Sequence, residues 1–246
     1  MKIRIKFSKQ GHMRFIGHLD IMRYFQKAMR RAEVDIRYSE GFSPHQIMSF
    51  AAPLGVGLTS DGEYMDIEVL SCETSEKMKN RLNSVMAEGM EILSFRRLPD
   101  NAANAMSLVA ACDYTVRFSE YGKPPAGNTE EDFFRKLEEF IRHGNLEVTK
   151  KTKKGEKQMD LKPGIYEART EKGQDGTLSF FLKVSSGSIL NIKPEQVLEA
   201  FYHSMGMEYP MFDFRITRKE IYGETDPGAS AEKRFRTLES FGEEIE

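Results

Sequence analysis

Cations and apolar side chains alternate over Lys2–Ser8, with Ile3, Ile5 and Phe7 on one face and Lys2, Arg4 and Lys6 on the other. That period of two predicts a strand buried on one side. From about residue 18 to 32 the period lengthens, because Leu19, Met22, Phe25, Met29 and Ala32 recur at helical spacing while Arg23, Lys27, Arg30 and Arg31 take other faces. The expectation is an amphipathic helix with a cationic exposed side. Segments 34–38 and 46–51 read as extended around Gly41 and Pro44, and 63–70 alternates again through Met65, Ile67 and Val69, predicting a hairpin about the Pro53–Gly62 loop. Thr74 or Ser75 can cap a helix over 75–87 that carries Met78, Leu82, Val85 and Met86, and Met90–Leu98 follows as a strand.

The second half repeats this order. Cys112–Phe118 alternates, and Thr129 can cap a helix striped with Phe133, Phe134, Leu137, Phe140 and Ile141. Extended stretches follow at 146–152, 157–170 and 177–184; Pro194 opens a helix to about Met205, and Phe212–Tyr222 reads as a last strand. Two β-α-β-β-α-β passes predict an α+β protein of two tandem ferredoxin-like units with antiparallel sheets. The units are expected at 1–98 and 111–223, with a linker at 99–110. Residues 224–246 hold seven acids, three bases and little apolar pattern, and are expected to form a flexible acidic tail.

The length of 246 residues accommodates two domains of ordinary size. Cys72 and Cys112 are the sole cysteines and stand in no paired motif, which argues against a disulfide framework or a thiolate zinc site and fits a reducing cytoplasm. The charged alternation at the start is unlike the apolar core of a signal peptide, and no apolar run approaches a membrane span of roughly 20 residues. The chain is therefore expected neither to cross a membrane nor to be exported. No cofactor motif is evident.

Charge changes the picture locally. Residues 1–60 hold ten Lys/Arg against four acids, a local charge of +6 in a chain whose formal net charge is −2. A negatively charged partner is the first to consider. Arg14, Arg23, Lys27, Arg30 and Arg37 are candidates to hold successive phosphates, with Phe15, Tyr24, Tyr38 and Phe42 as stacking surfaces for unpaired bases. The plainer alternative is a solvated helix face beside core aromatics. Gly55 and Gly57 can bring backbone amides close to a phosphate, or simply serve a hairpin turn that needs positive φ. The loop lacks the Gly-Lys-Ser/Thr of a nucleoside triphosphate loop and opens no helix, so NTP binding is not supported.

Histidines 12, 18 and 45 fall near turns around this window. His18 or His45 with Arg14 or Arg37 would supply the minimum for metal-independent RNA cleavage. Against that, His18 can bond to Asp20 at a helix start and His45 can brace the Gly41–Pro44 turn. Asp20, Glu40 and Asp66 lack metal-ligand spacing, and no metal is assigned. Lys150 and Lys153 lie in a second basic run, which is either a solvated loop or the far wall of a nucleic-acid groove.

The strings Phe15-x-Gly17-His18-Leu19-Asp20, Arg30-Arg31-Ala32, Tyr38-Ser39-x-Gly41-Phe42-x-Pro44, Ser49-Phe50-Ala51-x-Pro53-Leu54-x-x-Gly57 and Glu63-x-x-Asp66-Ile67 together resemble the radical SAM-linked protein family of bacteria. Asn191-Ile192-Lys193-Pro194-Glu195 is similar to a family turn before the last helix. The resemblance implies a radical SAM enzyme as partner, since members are encoded beside one or fused behind it, and neighbouring genes include ribosomal-protein and RNA-processing genes. This chain has no Cys-x-x-x-Cys-x-x-Cys set with which to hold that partner's iron–sulfur cluster. The expected two-unit architecture also looks like that of CRISPR repeat-processing endoribonucleases, a likeness of fold alone. The resulting expectation is an RNA-binding accessory protein that presents tRNA or rRNA to a radical SAM modification enzyme. The alternatives are a metal-independent endoribonuclease and a protein-only adaptor of that enzyme.

Overall fold

The computed structural model describes every residue but 153, 154, 189, 226, 227 and 229–233, and of 150–152, 156 and 157 the backbone alone. The chain divides into two compact units, one comprising Met1–Ala110 with Arg218–Glu246 and the other Ala111–Thr217.

The first unit opens with β1 (Lys2–Lys9) and α1 (His18–Arg31), followed by β2 (Met48–Phe50), β3 (Thr59–Glu68), α2 (Ser75–Asn83), β4 (Met90–Arg97) and the short α3 (Ala105–Leu108). Its strands lie in the order β4–β1–β3, with β2 also on β3 and every one of these pairings antiparallel. Ile3, Ile5 and Phe7 meet Phe25 and Met29 of α1, Met65 and Ile67 of β3, Met78 and Leu82 of α2, and Ile92 and Phe95 of β4 in one buried core. Phe7 and Phe25 stand 4.7 Å apart, tilted, and Phe50 closes the trio. Aromatic pairs of this kind add to the area they bury. The Thr74 side chain accepts from the Lys77 amide, making Thr74 the cap of the two the sequence offers.

Two departures follow from residues the periodicity could not see. The β3 strand begins at Thr59, so Gly62 is inside a strand; a Cβ there would stand 2.9 Å from the Lys219 carbonyl oxygen, which leaves room for glycine alone. The extended segment expected at 34–38 forms no strand and contributes only isolated bridges, Ile36 with Val69 and Tyr38 with Gln46.

The second unit contains β5 (Val109–Phe118), α4 (Glu130–His143), β6 (Glu147–Thr152), β7 (Gly155–Asp160), β8 (Ile165–Lys172), β9 (Leu178–Ser185), α5 (Pro194–Ser204) and the start of β10 (Phe214–Glu224). Its sheet runs β10–β5–β9–β8, with β5–β9 and β8–β9 antiparallel, while β6 and β7 pair as a separate hairpin. The stretch expected as one strand over 157–170 is divided by a 3-10 turn at Lys162–Gly164. Thr129 and Asp132 form a reciprocal capping box on α4, and Pro194 occupies the first turn of α5, as their positions predict. Phe118, Phe133, Phe134, Phe201, Tyr202 and Phe214 pack as an aromatic cluster.

The chain returns to the first unit within β10, whose residues from Arg218 lie beside β3, and continues to β11 (Phe235–Thr237) on β10. This corrects the expected tail. Phe235 and Leu238 are buried, Arg97 and Glu243 exchange backbone hydrogen bonds, and the Ser75 amide donates to the Ile245 carbonyl. The expected linker is corrected too, because Ala105 is fully buried and its amide donates to Asp66. Both segments cover the face of β1 that the alternation assigns to water, and that is why Arg4 is almost wholly buried. No described helix is long and apolar enough to cross a membrane.

Candidate nucleic-acid interface

The +6 window does not reach the surface intact. Arg4 is bidentate on Asp66, at 2.8 and 2.9 Å; Lys6 meets Glu220 at 2.7 Å; and Lys9 is buried with its Nζ donating to the Ile16 carbonyl at 2.8 Å. Arg37 reaches Glu68 at 3.3 Å, and Arg23 reaches Asp20 at 3.1 Å on an exposed helix face, where such pairs contribute little. Arg31 donates to the Val85 carbonyl and Arg14 to that of Gly11. Lys27 and Arg30 make no ion pair among the described residues, and both are exposed. Arg23, Lys27 and Arg30 stand four and three residues apart, which places them along one side of α1.

Exposed aromatic rings stand before α1 and on the turn tied to it. Phe42 is fully exposed, Tyr38 is exposed, and Phe15 is 59% exposed with the Arg14 guanidinium 4.5 Å from its ring centroid. The Gln46 amide donates both to the Gln26 carbonyl and to the Tyr38 hydroxyl, which fastens the 38–46 turn to α1 one residue from Lys27. Tyr24 is turned inward instead, with its ring 5.5 Å from Phe25 and its hydroxyl accepting from the Ala87 amide.

His45 holds its own turn together: its Nδ1 lies 2.9 Å from the Ser39 hydroxyl, which also accepts from the His45 amide. His18 begins α1 with its ring edge-on to Phe50 at 5.4 Å. No hydrogen bond joins either histidine to Arg14 or Arg37 among the described residues. Gly57, at φ +93°, needs the left-handed backbone that glycine permits, and its amide is already committed to the Arg14 carbonyl at 2.8 Å. Gly55 lies in the same exposed loop. Lys150 is in β6 and Lys153 lies outside the described residues.

A second polar cluster, absent from the candidates above, lies near the start of α1. Glu63 and Arg218 are both buried and pair at 3.1 Å, and Arg218 also donates to the carbonyls of Ala52 and Pro53. Burial pushes the Glu63 carboxyl above its ordinary range, opposed chiefly by the Arg218 charge. Burial likewise pulls the Lys9 ammonium down, opposed by Glu63. The Ser60 hydroxyl lies close enough to favour the Glu63 charge but gives its hydrogen to the Arg218 carbonyl. Glu63 Oε1 is left buried without a hydrogen-bond partner among the described residues. Lys9, Glu63 and His18 line a cavity of about 20 Å³ walled by Phe7, Ile21, Phe50, Ala52 and Leu54, which is room for one water-sized group.

A signal for this cluster is present in the sequence. Lys9 continues the apolar series Ile3, Ile5, Phe7; Glu63 precedes Met65, Ile67 and Val69; and Arg218 follows Phe214 and Ile216. Each charge stands where strand alternation calls for a core residue, a local inconsistency that marks functional positions.

The profile of a bacterial family described as "Uncharacterized protein conserved in bacteria (DUF2344)" matches residues 2–194. No curated protein matches the chain.

Proposed function

The chain belongs to the bacterial DUF2344 family, and from that premise we propose that it is an RNA-binding accessory protein acting beside a radical SAM enzyme. The partner is carried by the resemblance of the Phe15–Ile67 strings; the RNA is carried by the surface of α1. The single observation behind the reading is the coincidence of Lys27 and Arg30, exposed and without acid partners among the described residues, with Tyr38 and Phe42 presented to solvent on a turn tied to the same helix. Cations beside exposed rings are what single-stranded nucleic acid requires, since phosphates take the charge and unstacked bases take the aromatic faces. The order of elements in each unit supports reading both as ferredoxin-like folds in tandem, with β6–β7 as an insertion in the second.

Fluorescence anisotropy with labelled single-stranded and hairpin RNA over a salt series tests this. The logarithm of affinity is expected to fall linearly with the logarithm of salt concentration. The double change Lys27→Glu and Arg30→Glu is expected to flatten that slope by about 1–2. Phe42→Ala is expected to weaken binding by about 5- to 100-fold, the worth of one stacked base, with the fold unchanged because the ring touches nothing. Absence of salt-dependent RNA affinity, with all variants alike, would sink the reading. The protein-only adaptor is a second reading, carried by Phe15, Leu19 and Val56, which are exposed around the loop that joins Gly57 to Arg14. Copurification with the enzyme that survives nuclease, together with no RNA binding by the pair, would favour it.

A further inference from the structure

We propose that the cavity beside Glu63 is a hydroxyl-binding subsite, in which Glu63 Oε1 and Lys9 Nζ receive one ligand group that both donates and accepts a hydrogen bond. On the RNA-binding reading, on which this inference rests, that group is a ribose 2′-hydroxyl.

Three observations converge on this chemistry. Glu63 Oε1 is a buried oxygen with no partner among the described residues, and its residue lines the cavity. A group in that state costs more than most hydrogen bonds return, so a ligand that completes it gains from relief of the cost. Lys9 Nζ carries three donors and places one, on the Ile16 carbonyl. Finally, a volume of about 20 Å³ is room for one water-sized group.

Charge narrows the choice. Lys9 and Arg218 flank Glu63, so an entering ammonium meets two cations and an entering carboxylate or phosphate oxygen meets Glu63. A hydroxyl avoids both conflicts. It gives its hydrogen to an ionised Glu63, or accepts one from a protonated Glu63, and in either state its oxygen can accept from Lys9. Phe7, Phe50 and Leu54 offer no competing polar atom. His18 and Leu54 connect the cavity to the interface, for His18 starts α1 and Leu54 begins the loop whose Gly57 amide is fastened to Arg14. On the RNA-binding reading, a strand held along α1 runs toward the start of that helix, where His18 lies. Among the groups of RNA, the 2′-hydroxyl is the one that distinguishes it from DNA.

The test compares the full chain binding one labelled RNA, the DNA of the same sequence, and the same RNA fully 2′-O-methylated, which lacks the donor and is too large for the cavity. The wild type is expected to prefer RNA over both by at least about tenfold, the worth of a hydrogen bond to a charged group. Ala52→Leu puts apolar bulk into the cavity beside Lys9 and Glu63, keeps the backbone carbonyl that Arg218 holds, and is expected to abolish that preference while leaving DNA affinity unchanged. Glu63→Gln exchanges the charged acceptor for an amide and is expected to reduce the preference at least about threefold, so the question stays answerable if Ala52→Leu misfolds. Equal salt-dependent binding of RNA and DNA by the wild type overturns the subsite while the RNA-binding reading stands. A preference that survives both variants also overturns it. Binding of neither nucleic acid overturns both.

Discussion

Two clusters of buried charge lie on opposite faces of β1, and they are finished differently. Around Arg4 every guanidinium nitrogen donates: the group holds both oxygens of Asp66, the Leu238 carbonyl at 3.1 Å and the Ala103 carbonyl at 3.3 Å, while Asp66 also accepts from the Ala105 amide. Around Glu63 the bonding is open, with one carboxyl oxygen unmet and a lysine using one of three donors among the described residues. The first cluster ties three distant segments of the first unit, β1, the start of α3 and the chain after β11. The second joins β1, β3, β10 and the 52–53 segment, and it borders a cavity. A network whose members are met rigidifies the core, whereas an unfinished one breaks the local rules there, as functional sites often do.

The largest expected effect belongs to the closed cluster. Arg4→Met leaves the Asp66 carboxylate beside apolar surface and removes the anchor of the segments that cover it. Loss of one partner of a buried pair costs about 3–5 kcal/mol, and denaturant unfolding should show a midpoint shift of that size. A smaller loss would mean that water enters to replace the guanidinium, and the two clusters would then be more alike than their geometry indicates.

Tyr64 extends the closed side, for its hydroxyl donates to Glu220 at 2.7 Å and Glu220 is held in turn by Lys6. Burial, with the Glu220 charge beside it, drives the phenol well above its usual range, so it remains a donor at every accessible pH. Tyr64→Phe removes one bond and leaves Glu220 its lysine, with an expected loss of about 1–2 kcal/mol.

On the open side the corresponding change should cost less. Glu63→Gln keeps an oxygen for Arg218, which the Ala52 and Pro53 carbonyls also hold, and is expected to cost about 1–2 kcal/mol near neutral pH. Its pH dependence is the sharper measurement. A carboxyl whose folded pKa lies above its ordinary value of 4.5 binds a proton more tightly in the native state. Stability is therefore full below 4.5 and falls as pH rises toward the folded pKa. The Gln variant should lack that decline, so the wild type should lose ground to it between acid and neutral pH. The opposite slope would show that Arg218, and not burial, governs Glu63, and that the cluster is as closed as that of Arg4.

Much of this contrast was within reach of the sequence. The period-two run of β1, the period of α1, the caps at Thr74 and Thr129 and the proline opening α5 are local signals, and they stand in the structure. The covering of Arg4 was not legible, because it depends on the chain returning after β10, and the acids around Phe235, Leu238 and Phe241 obscured an apolar pattern that is too short to stand alone. The same covering removed Arg4 and Lys6 from the cationic surface, and burial in the core removed Lys9. His18 could be named as a candidate, but not its neighbours, since Lys9 reads as the polar end of a strand until Glu63 and Arg218 are seen opposite it. Charges in phase with a core stripe are weak signals one at a time. Three of them meeting in space are not.

The smallest expected effect makes the sharpest comparison, because Lys9→Met repeats on the open side of β1 the change that Arg4→Met makes on the closed side. Methionine fills the path of the lysine stem, Glu63 keeps Arg218, and one hydrogen bond to the Ile16 carbonyl is lost. Against that loss stands the burial that holds the Lys9 ammonium below its ordinary 10.5, so the charged form is a burden on the native state. The two terms oppose each other, and unfolding free energy near neutral pH is expected to change by no more than about 0.5 kcal/mol. The sign at high pH follows from linkage. Between the lowered folded pKa and 10.5 the unfolded chain holds the proton that the native state has released, so wild-type stability rises with pH across that window. The Met variant should lack the rise. A loss comparable to that of Arg4→Met would show that Lys9 fastens the fold, and would leave the Glu63 cavity without its donor role.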